Sequence, residues 1–180
     1  DGIRMANVFA STDQGKIWTR RGGVAFPRTD FDEHMIVERK DGSLWMLART
    51  KDGISESTSA DKGVTWSEPQ PSTIQNPSAR FFIRRLASGK LILVKNGPLN
   101  VRLPNRTNLK AFLSDDDGKT WGKGLLIDDR ASVSYPDGFQ APNGDIHILY
   151  DWNRHTDAEI LHTKFNEADF APRKPDPITP

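Results

Sequence analysis

The chain has 180 residues, 25 basic and 24 acidic side chains and no cysteine, which gives a net charge of +1 at neutral pH. A charge balance this close to zero provides no field that favours nucleic acid or a membrane surface. The absence of cysteine excludes disulfides, thiol nucleophiles and cysteine-ligated metals, and no segment approaches the roughly 18 consecutive apolar residues of a membrane span. We therefore expect no nucleic acid partner and no membrane segment.

A short phrase occurs three times along the chain. Ser, Asp, Gly and Trp recur at fixed offsets in residues 11–18, 59–66 and 114–121, and the Asp positions are 48 and 55 residues apart. In this phrase, which we call the Asp box, the Asp carboxylate can accept backbone N–H groups and the Gly can adopt a positive φ. Ser and Thr hydroxyls can close the same turn, and the Trp supplies a large apolar side chain for the core. Each Asp box therefore predicts a β-hairpin turn.

Turn dipeptides occur in phase with the Asp boxes. They are Asp41-Gly42, Ser88-Gly89 and Asn143-Gly144. Strand-like runs surround them at residues 35–37, 43–47, 81–83, 90–94 and 145–150. A repeat of strand, turn, two strands, Asp box and strand is typical of a four-stranded blade, and its period predicts an all-β propeller.

The blades can be placed along the chain from these signals. The pattern predicts the end of one blade at about residues 5–27, two whole blades at about 30–75 and 78–130, and most of another at about 132–166. The second whole blade carries extra residues at 97–105, and inserted loops often carry function. We assign residues 1–166 to a partial propeller and 167–180 to a Pro-rich C-terminal tail. Because propellers need at least four blades, we expect a longer protein or a second copy to complete the ring.

Two patterns raise the question of a metal site. Asp115, Asp116 and Asp117 are consecutive, whereas an EF-hand loop alternates its oxygen ligands and ends with a Glu, so the turn interpretation is favoured over calcium. The four histidines have no ligand-like spacing; they are His34, His147, His155 and His162. We expect no metal and no cofactor.

The Asp boxes resemble those of the sialidase (neuraminidase) superfamily, whose propellers are built from BNR repeats. Residues 31–49 are similar to the family segment that places a Glu before a strand and an Arg one strand later. Residues 105–110 lead an Arg into the third Asp box, and residues 134–151 resemble the segment of the nucleophilic Tyr. The resemblance implies a six-bladed propeller, of which this chain would be the C-terminal half, with about three to four four-stranded blades.

The resemblance also implies an activity, the retaining exo-hydrolysis of a terminal sialic acid or a related acidic sugar. Tyr135 would be the nucleophile, because a neutral phenol avoids the repulsion between a carboxylate nucleophile and the carboxylate of the sugar. Glu33 would be its base, and Arg49 and Arg106 would bind the substrate carboxylate. The partner would be a glycan, and the resemblance favours a secreted or periplasmic location.

Each of these residues also has an ordinary structural interpretation. Glu33 could be a solvated acid at a strand end, and Arg49 could be a surface cap. Arg106 could be solvated in its loop, and Tyr135 could be a core or turn aromatic. A non-catalytic Asp-box propeller that binds glycan or protein is therefore the alternative function, and a different acidic glycan is the alternative substrate.

The sequence departs from the family pattern at several places. The first Arg of the family's triad and its acid/base Asp have no counterpart here, since neither Asp13 nor Asp30 has the right context, so we expect the chain alone to be inactive. Pro136-Asp137 adds an acid beside Tyr135, which disfavours an anionic sugar, and residues 151–155 could form a different sugar-binding rim. The remaining arginines are interpreted as structural or rim residues; they are Arg80, Arg84, Arg85 and Arg154.

Overall fold

The structure is a computed structural model that describes residues 4–29, 31 and 33–171. These residues form thirteen β-strands in four antiparallel sheets, so the predicted all-β class is confirmed. The first sheet pairs β1 (Ala6–Ala10) with β2 (Thr19–Val24). The second sheet contains β3 (His34–Glu38), β4 (Leu44–Thr50), β5 (Gly53–Ser59) and β6 (Gln70–Pro71).

The third and fourth sheets follow in the same way. The third contains β7 (Phe82–Arg85), β8 (Leu91–Asn96), β9 (Thr107–Ser114) and β10 (Leu125–Ala131). The fourth contains β11 (Val133–Gln140), β12 (Ile146–Trp152) and β13 (Glu159–Phe165). In every sheet, neighbouring strands follow one another along the chain, as expected for propeller blades.

The segment after β13 begins with a short 3-10 helix, Glu167–Phe170, in the region that the sequence assigned to the tail. Phe170 packs edge-on against Phe165, with their ring centroids 5.8 Å apart. The Pro-rich residues 172–180 lie outside the described residues. Within the described ranges, no helix is long and apolar enough to cross a membrane.

The four sheets pack face to face in chain order. In β4, Met46 and Ala48 belong to the core shared with the first sheet, whereas Trp45 and Leu47 belong to the core shared with the third. Strand β8 repeats this arrangement between the second and fourth sheets. Because successive side chains of a strand point to opposite faces, a strand that is buried on both faces has consecutive apolar residues, here at 45–48 and 91–94.

The Asp boxes form the predicted turns. In the second box, the Ser59 hydroxyl accepts from the Gly63 N–H and donates to the Asp61 carboxylate, both at 2.8 Å. Asp61 also accepts from the Thr65 hydroxyl at 2.6 Å and from its N–H at 2.9 Å. Lys62 and Gly63 have φ angles of 61° and 87°. Hydrogen bonds, led by the one from the Thr65 hydroxyl, lower the pKa of Asp61 to about 2, so this carboxylate stabilises the turn.

The tryptophans of the three Asp boxes differ in burial. Trp66 packs against the core between the first and second sheets, and Trp121 packs against the core between the second and third. Trp18 is 63% exposed, so the predicted core position is wrong for the first box. Each of these two partly buried tryptophans lies on the sheet that precedes its own, and no described sheet precedes the first one.

Gly22 of β2 marks a close contact between the first and second sheets. A Cβ at this position would lie 2.4 Å from the carbonyl oxygen of Val64 and 2.5 Å from that of Gly63. We expect Gly22→Ala to lower the free energy of unfolding by about 1–3 kcal/mol, because the two backbones must separate. Urea denaturation measures this change. The matched control is Gly122→Ala, whose Cβ would approach only Leu113 O, at 3.6 Å; equal losses in both variants would contradict the steric explanation.

Candidate functional site

The four candidate residues lie at strand ends on three neighbouring sheets. Glu33 directly precedes β3, Arg49 is near the end of β4, Arg106 directly precedes β9, and Tyr135 is near the start of β11. The start of β3 meets the end of β4 because the two strands are antiparallel, and the Arg49 N–H donates to the Glu33 carbonyl at 3.0 Å. Sheet packing then brings Tyr135 of the fourth sheet to the same place.

Three of the candidates are in direct contact. The Tyr135 hydroxyl donates to Glu33 Oε1 at 3.0 Å, across 102 residues of sequence. Arg49 Nη1 donates to both oxygens of Glu33, at 3.1 and 2.9 Å, and to the Tyr135 hydroxyl at 3.2 Å. Arg49 is only 5% exposed, and its guanidinium lies 3.6 Å above the ring of Phe31. The phenol thus faces a carboxylate whose charge is balanced by a buried cation.

The backbone of Tyr135 is unusual. Its φ is 53°, a left-handed conformation that costs a non-glycine residue about 1–3 kcal/mol. The register between β11 and β12 shifts between Ser134 and Asp137, so Tyr135 and Pro136 form a bulge. Bulges next to active sites redirect side chains, and this one interrupts the alternation of β11 where Tyr135 meets Glu33.

Arg106 adjoins this group through hydroxyl and ring contacts. Its Nη1 donates to Ser134 Oγ at 3.2 Å, and its Cζ lies 5.3 Å from the centre of the Tyr135 ring. Ser134 Oγ in turn donates to Asp151 Oδ1 at 2.7 Å. Among the residues that the structure describes, Arg106 makes no ion pair with a carboxylate, so its charge can be used by an anionic ligand.

Two arginines that the sequence marked only as structural or rim residues also border Tyr135. The Arg154 guanidinium lies 3.9 Å from the Tyr135 ring centre and pairs with Asp151 at 2.8 Å. Arg80 pairs with Asp137, also at 2.8 Å. Asp137 therefore has its own counter-ion, and this ion pair reduces the repulsion that the sequence suggested between Asp137 and an anionic sugar.

The other candidates lie elsewhere. Arg85 donates to the carbonyls of Glu38 and Gly89 and pairs with Asp117 at 2.7 Å, so its structural interpretation is confirmed. His147 and His162 lie on neighbouring strands, with ring nitrogens 3.0 Å apart. In the described part of the chain, no three His, Asp or Glu side chains are arranged to hold a metal ion.

Two cavities flank Tyr135. One, of about 290 Å³, is lined by Glu33, Phe81 and Arg80 among others, and the other, of about 460 Å³, is lined by Arg80, Asp137 and Arg154 among others. Small-molecule sites usually have about 300–1,000 Å³. A ligand of the size of one sugar ring could therefore reach the Tyr135 hydroxyl.

Known proteins share sequence and fold with this chain. The profile of a family described as the BNR repeat-like domain matches residues 3–148. A search of curated proteins found no significant relative. The intramolecular trans-sialidase from Ruminococcus gnavus, solved with oseltamivir carboxylate, is 22% identical with a TM-score of 0.64, over 92% of this chain and 39% of its own.

Two further solved structures are similar. The NanB sialidase from Streptococcus pneumoniae, bound to a chlorobenzyl-ammonio-ethanesulfonate, is 22% identical with a TM-score of 0.68, over 92% of this chain and 28% of its own. The alpha-L-arabinanase from Penicillium chrysogenum, complexed with arabinobiose, is 16% identical with a TM-score of 0.54, over 88% of this chain and 52% of its own. The chain thus spans well under half the length of both sialidases. The TM-scores confirm the predicted sialidase-type propeller fold.

Proposed function

Because this chain belongs to the family of BNR repeat-like domains, we propose that it forms part of a sialidase-like glycoside hydrolase. The substrate is a terminal sialic acid or a related acidic sugar, and the anomeric configuration is retained. The single observation that carries this proposal is the hydrogen bond of 3.0 Å from the Tyr135 phenol to the Glu33 carboxylate, with Arg49 bound to both. We assign residues 1–166 to the propeller and 167–180 to its C-terminal extension.

In the proposed first step, Tyr135 attacks the anomeric carbon. As the bond from the phenol oxygen to carbon forms, the phenol proton passes to Glu33 and the bond to the leaving oxygen breaks. In the second step, water attacks the same carbon and gives its surplus proton to the group that protonated the leaving oxygen, the bond to Tyr135 breaks, and Glu33 returns its own proton to the phenol oxygen. The leaving oxygen also requires a proton, and we assign no residue of this chain to that role.

The charges around Tyr135 support an anionic substrate. Four guanidiniums and three carboxylates surround it; they belong to Arg49, Arg80, Arg106, Arg154, Glu33, Asp137 and Asp151. Three of the arginines are paired with these carboxylates, which leaves Arg106 as the cation in excess. A guanidinium binds a carboxylate through two parallel hydrogen bonds, so we assign the substrate carboxylate to Arg106, with Arg49 beside it.

A non-catalytic propeller that binds glycan or protein is the competing proposal. A binding protein has no need for a base against a phenol, nor for a strained backbone that directs the phenol to that base. The contact between Tyr135 and Glu33 and the positive φ of Tyr135 therefore favour the enzyme.

The test is hydrolysis of a panel of acidic sugar conjugates by the intact protein that contains this chain. The panel pairs sialic acid and hexuronic acid conjugates with their neutral analogues. We expect only acidic conjugates to be cleaved, and NMR of the first product to show the anomeric configuration of the substrate. An inverted product would exclude a Tyr nucleophile, and binding without cleavage of any conjugate would support the non-catalytic alternative.

A further inference from the structure

We infer that Lys95 and Asn96 are positioning residues that hold Arg106 against Tyr135. They are the last two residues of β8. Both residues are completely buried. The inference rests on the proposed function, because it explains how two of the proposed site residues are held in place.

Lys95 holds the first residues of the inserted loop, residues 97–105, in place. Its ammonium donates to the carbonyl oxygens of Asn96, Gly97 and Pro98, at 2.6, 2.9 and 2.6 Å. Burial and the neighbouring Lys110 lower the pKa of Lys95 to about 7, because both disfavour its charged form. An aliphatic side chain would fill the space without that cost. What the amine adds is the set of hydrogen bonds to the first residues of the loop.

Asn96 joins the two strands that carry the site residues. Its Nδ2 donates to the carbonyl oxygen of Thr107 at 3.4 Å and to that of Val133 at 3.0 Å. Thr107 directly follows Arg106, and Val133 lies two residues before Tyr135. One buried amide group therefore links the backbones of the carboxylate-binding Arg and the nucleophile.

The loop of residues 97–105 needs contacts that hold its first residues in place. It connects β8 to Arg106, and a long irregular loop would otherwise sample many conformations. Two backbone contacts also hold the loop: the Gly97 N–H donates to the Asn108 carbonyl at 2.8 Å, and the Gln75 N–H donates to the Leu99 carbonyl at 2.7 Å. With both anchors in place, the loop ends where Arg106 reaches Ser134 at 3.2 Å.

The first test is a double-mutant cycle in the intact protein with Lys95→Met and Arg106→Lys, on an acidic conjugate that the parent cleaves. We expect Lys95→Met to raise KM about tenfold with little change in kcat, and to add nothing further when Arg106 is already Lys. A purely structural role would instead give equal effects in both backgrounds, and this result would overturn the inference.

The second readout does not depend on activity. Trypsin cleaves after arginine, so we expect Lys95→Met to speed cleavage after Arg102 and Arg106 at temperatures well below its Tm. Lys110→Met is the matched control, because Lys110 pairs with Lys95 across the strands and makes no described contact with the loop. Unchanged cleavage in Lys95→Met, or equal acceleration in the control, would also overturn the inference.

Two outcomes separate this inference from the proposed function. If Arg106→Lys leaves KM unchanged, the proposed role of Arg106 in substrate binding is wrong. If Arg106→Lys raises KM and Lys95→Met does not, only the positioning role fails. Should Lys95→Met not fold, Asn96→Ser provides the same cycle, since it removes the donors to Thr107 and Val133 and leaves the lysine intact.

Discussion

Tyr135→Phe in the intact protein is expected to lower kcat by at least about 10³-fold, because it removes the proposed nucleophile. Glu33 and Arg49 still bind each other through two hydrogen bonds, so the free energy of unfolding should change by no more than about 1 kcal/mol. KM for the acidic conjugate should change little, since the proposed carboxylate-binding arginines remain. Steady-state kinetics and urea denaturation of the same preparation measure both effects.

Tyr150→Phe is the matched control, because the chain contains only two tyrosines. The Tyr150 hydroxyl donates to Asp128 Oδ2 at 3.1 Å in the interior. Its loss should cost about 1–3 kcal/mol of unfolding free energy, because it removes a buried hydrogen bond to a charged group although Asp128 keeps its ion pair with Arg130, and should leave kcat unchanged. The two variants thus have opposite expected effects on stability and turnover. A kcat for Tyr135→Phe within tenfold of the parent would show that the phenol is not the nucleophile.

Glu33→Gln is expected to lower kcat by about 10²–10⁴-fold, because an amide cannot accept the phenol proton. The side chain keeps its size and one acceptor oxygen, but Arg49, which is only 5% exposed, loses its ionic partner. Breaking a buried ion pair costs up to about 3–5 kcal/mol, so the free energy of unfolding should fall as well. Kinetics must therefore be measured below the Tm of the variant.

The control for this change is Glu38→Gln at the other end of the same strand. Glu38 is exposed and pairs with Lys62 at 2.7 Å. Exposed ion pairs contribute little to stability, so both kcat and stability should remain close to those of the parent. If Glu33→Gln kept full turnover, Tyr135 would have to be activated by another group, and the proposed pairing would be wrong.

The similarity to both sialidases and an arabinanase shows why the fold alone does not define the sugar. Within this chain, the strongest indication of an acidic substrate is electrostatic. Arg106 lies 5.3 Å from the Tyr135 ring and has no carboxylate partner in the described structure. A neutral sugar would leave this cation uncompensated, whereas a carboxylated sugar would neutralise it.

The sequence alone was sufficient for the blades and their turns, because the contacts that stabilise them are local. In the third Asp box, Ser114, Asp116 and Thr120 bind one another within seven residues of chain. The strand runs could be read from the turn dipeptides and from the β-rich residues beside them. The roles of Tyr135 and Glu33, by contrast, came from resemblance to a family and not from spacing, and they remain proposals.

Only the tertiary structure decided which side chains meet. Arg80 borders the cavities beside Tyr135 because the third and fourth sheets pack together, and Arg154 reaches the Tyr135 ring from the end of the neighbouring strand β12. No local pattern distinguishes these two from solvated arginines. The burial of an Asp-box Trp depends on the sheet that precedes it, and Trp18, before which no sheet is described, is 63% exposed although its local sequence matches the others. The contact of Tyr135 with Glu33 spans 102 residues. Local sequence determines turns and strand runs, whereas contacts of this range depend on how whole sheets pack.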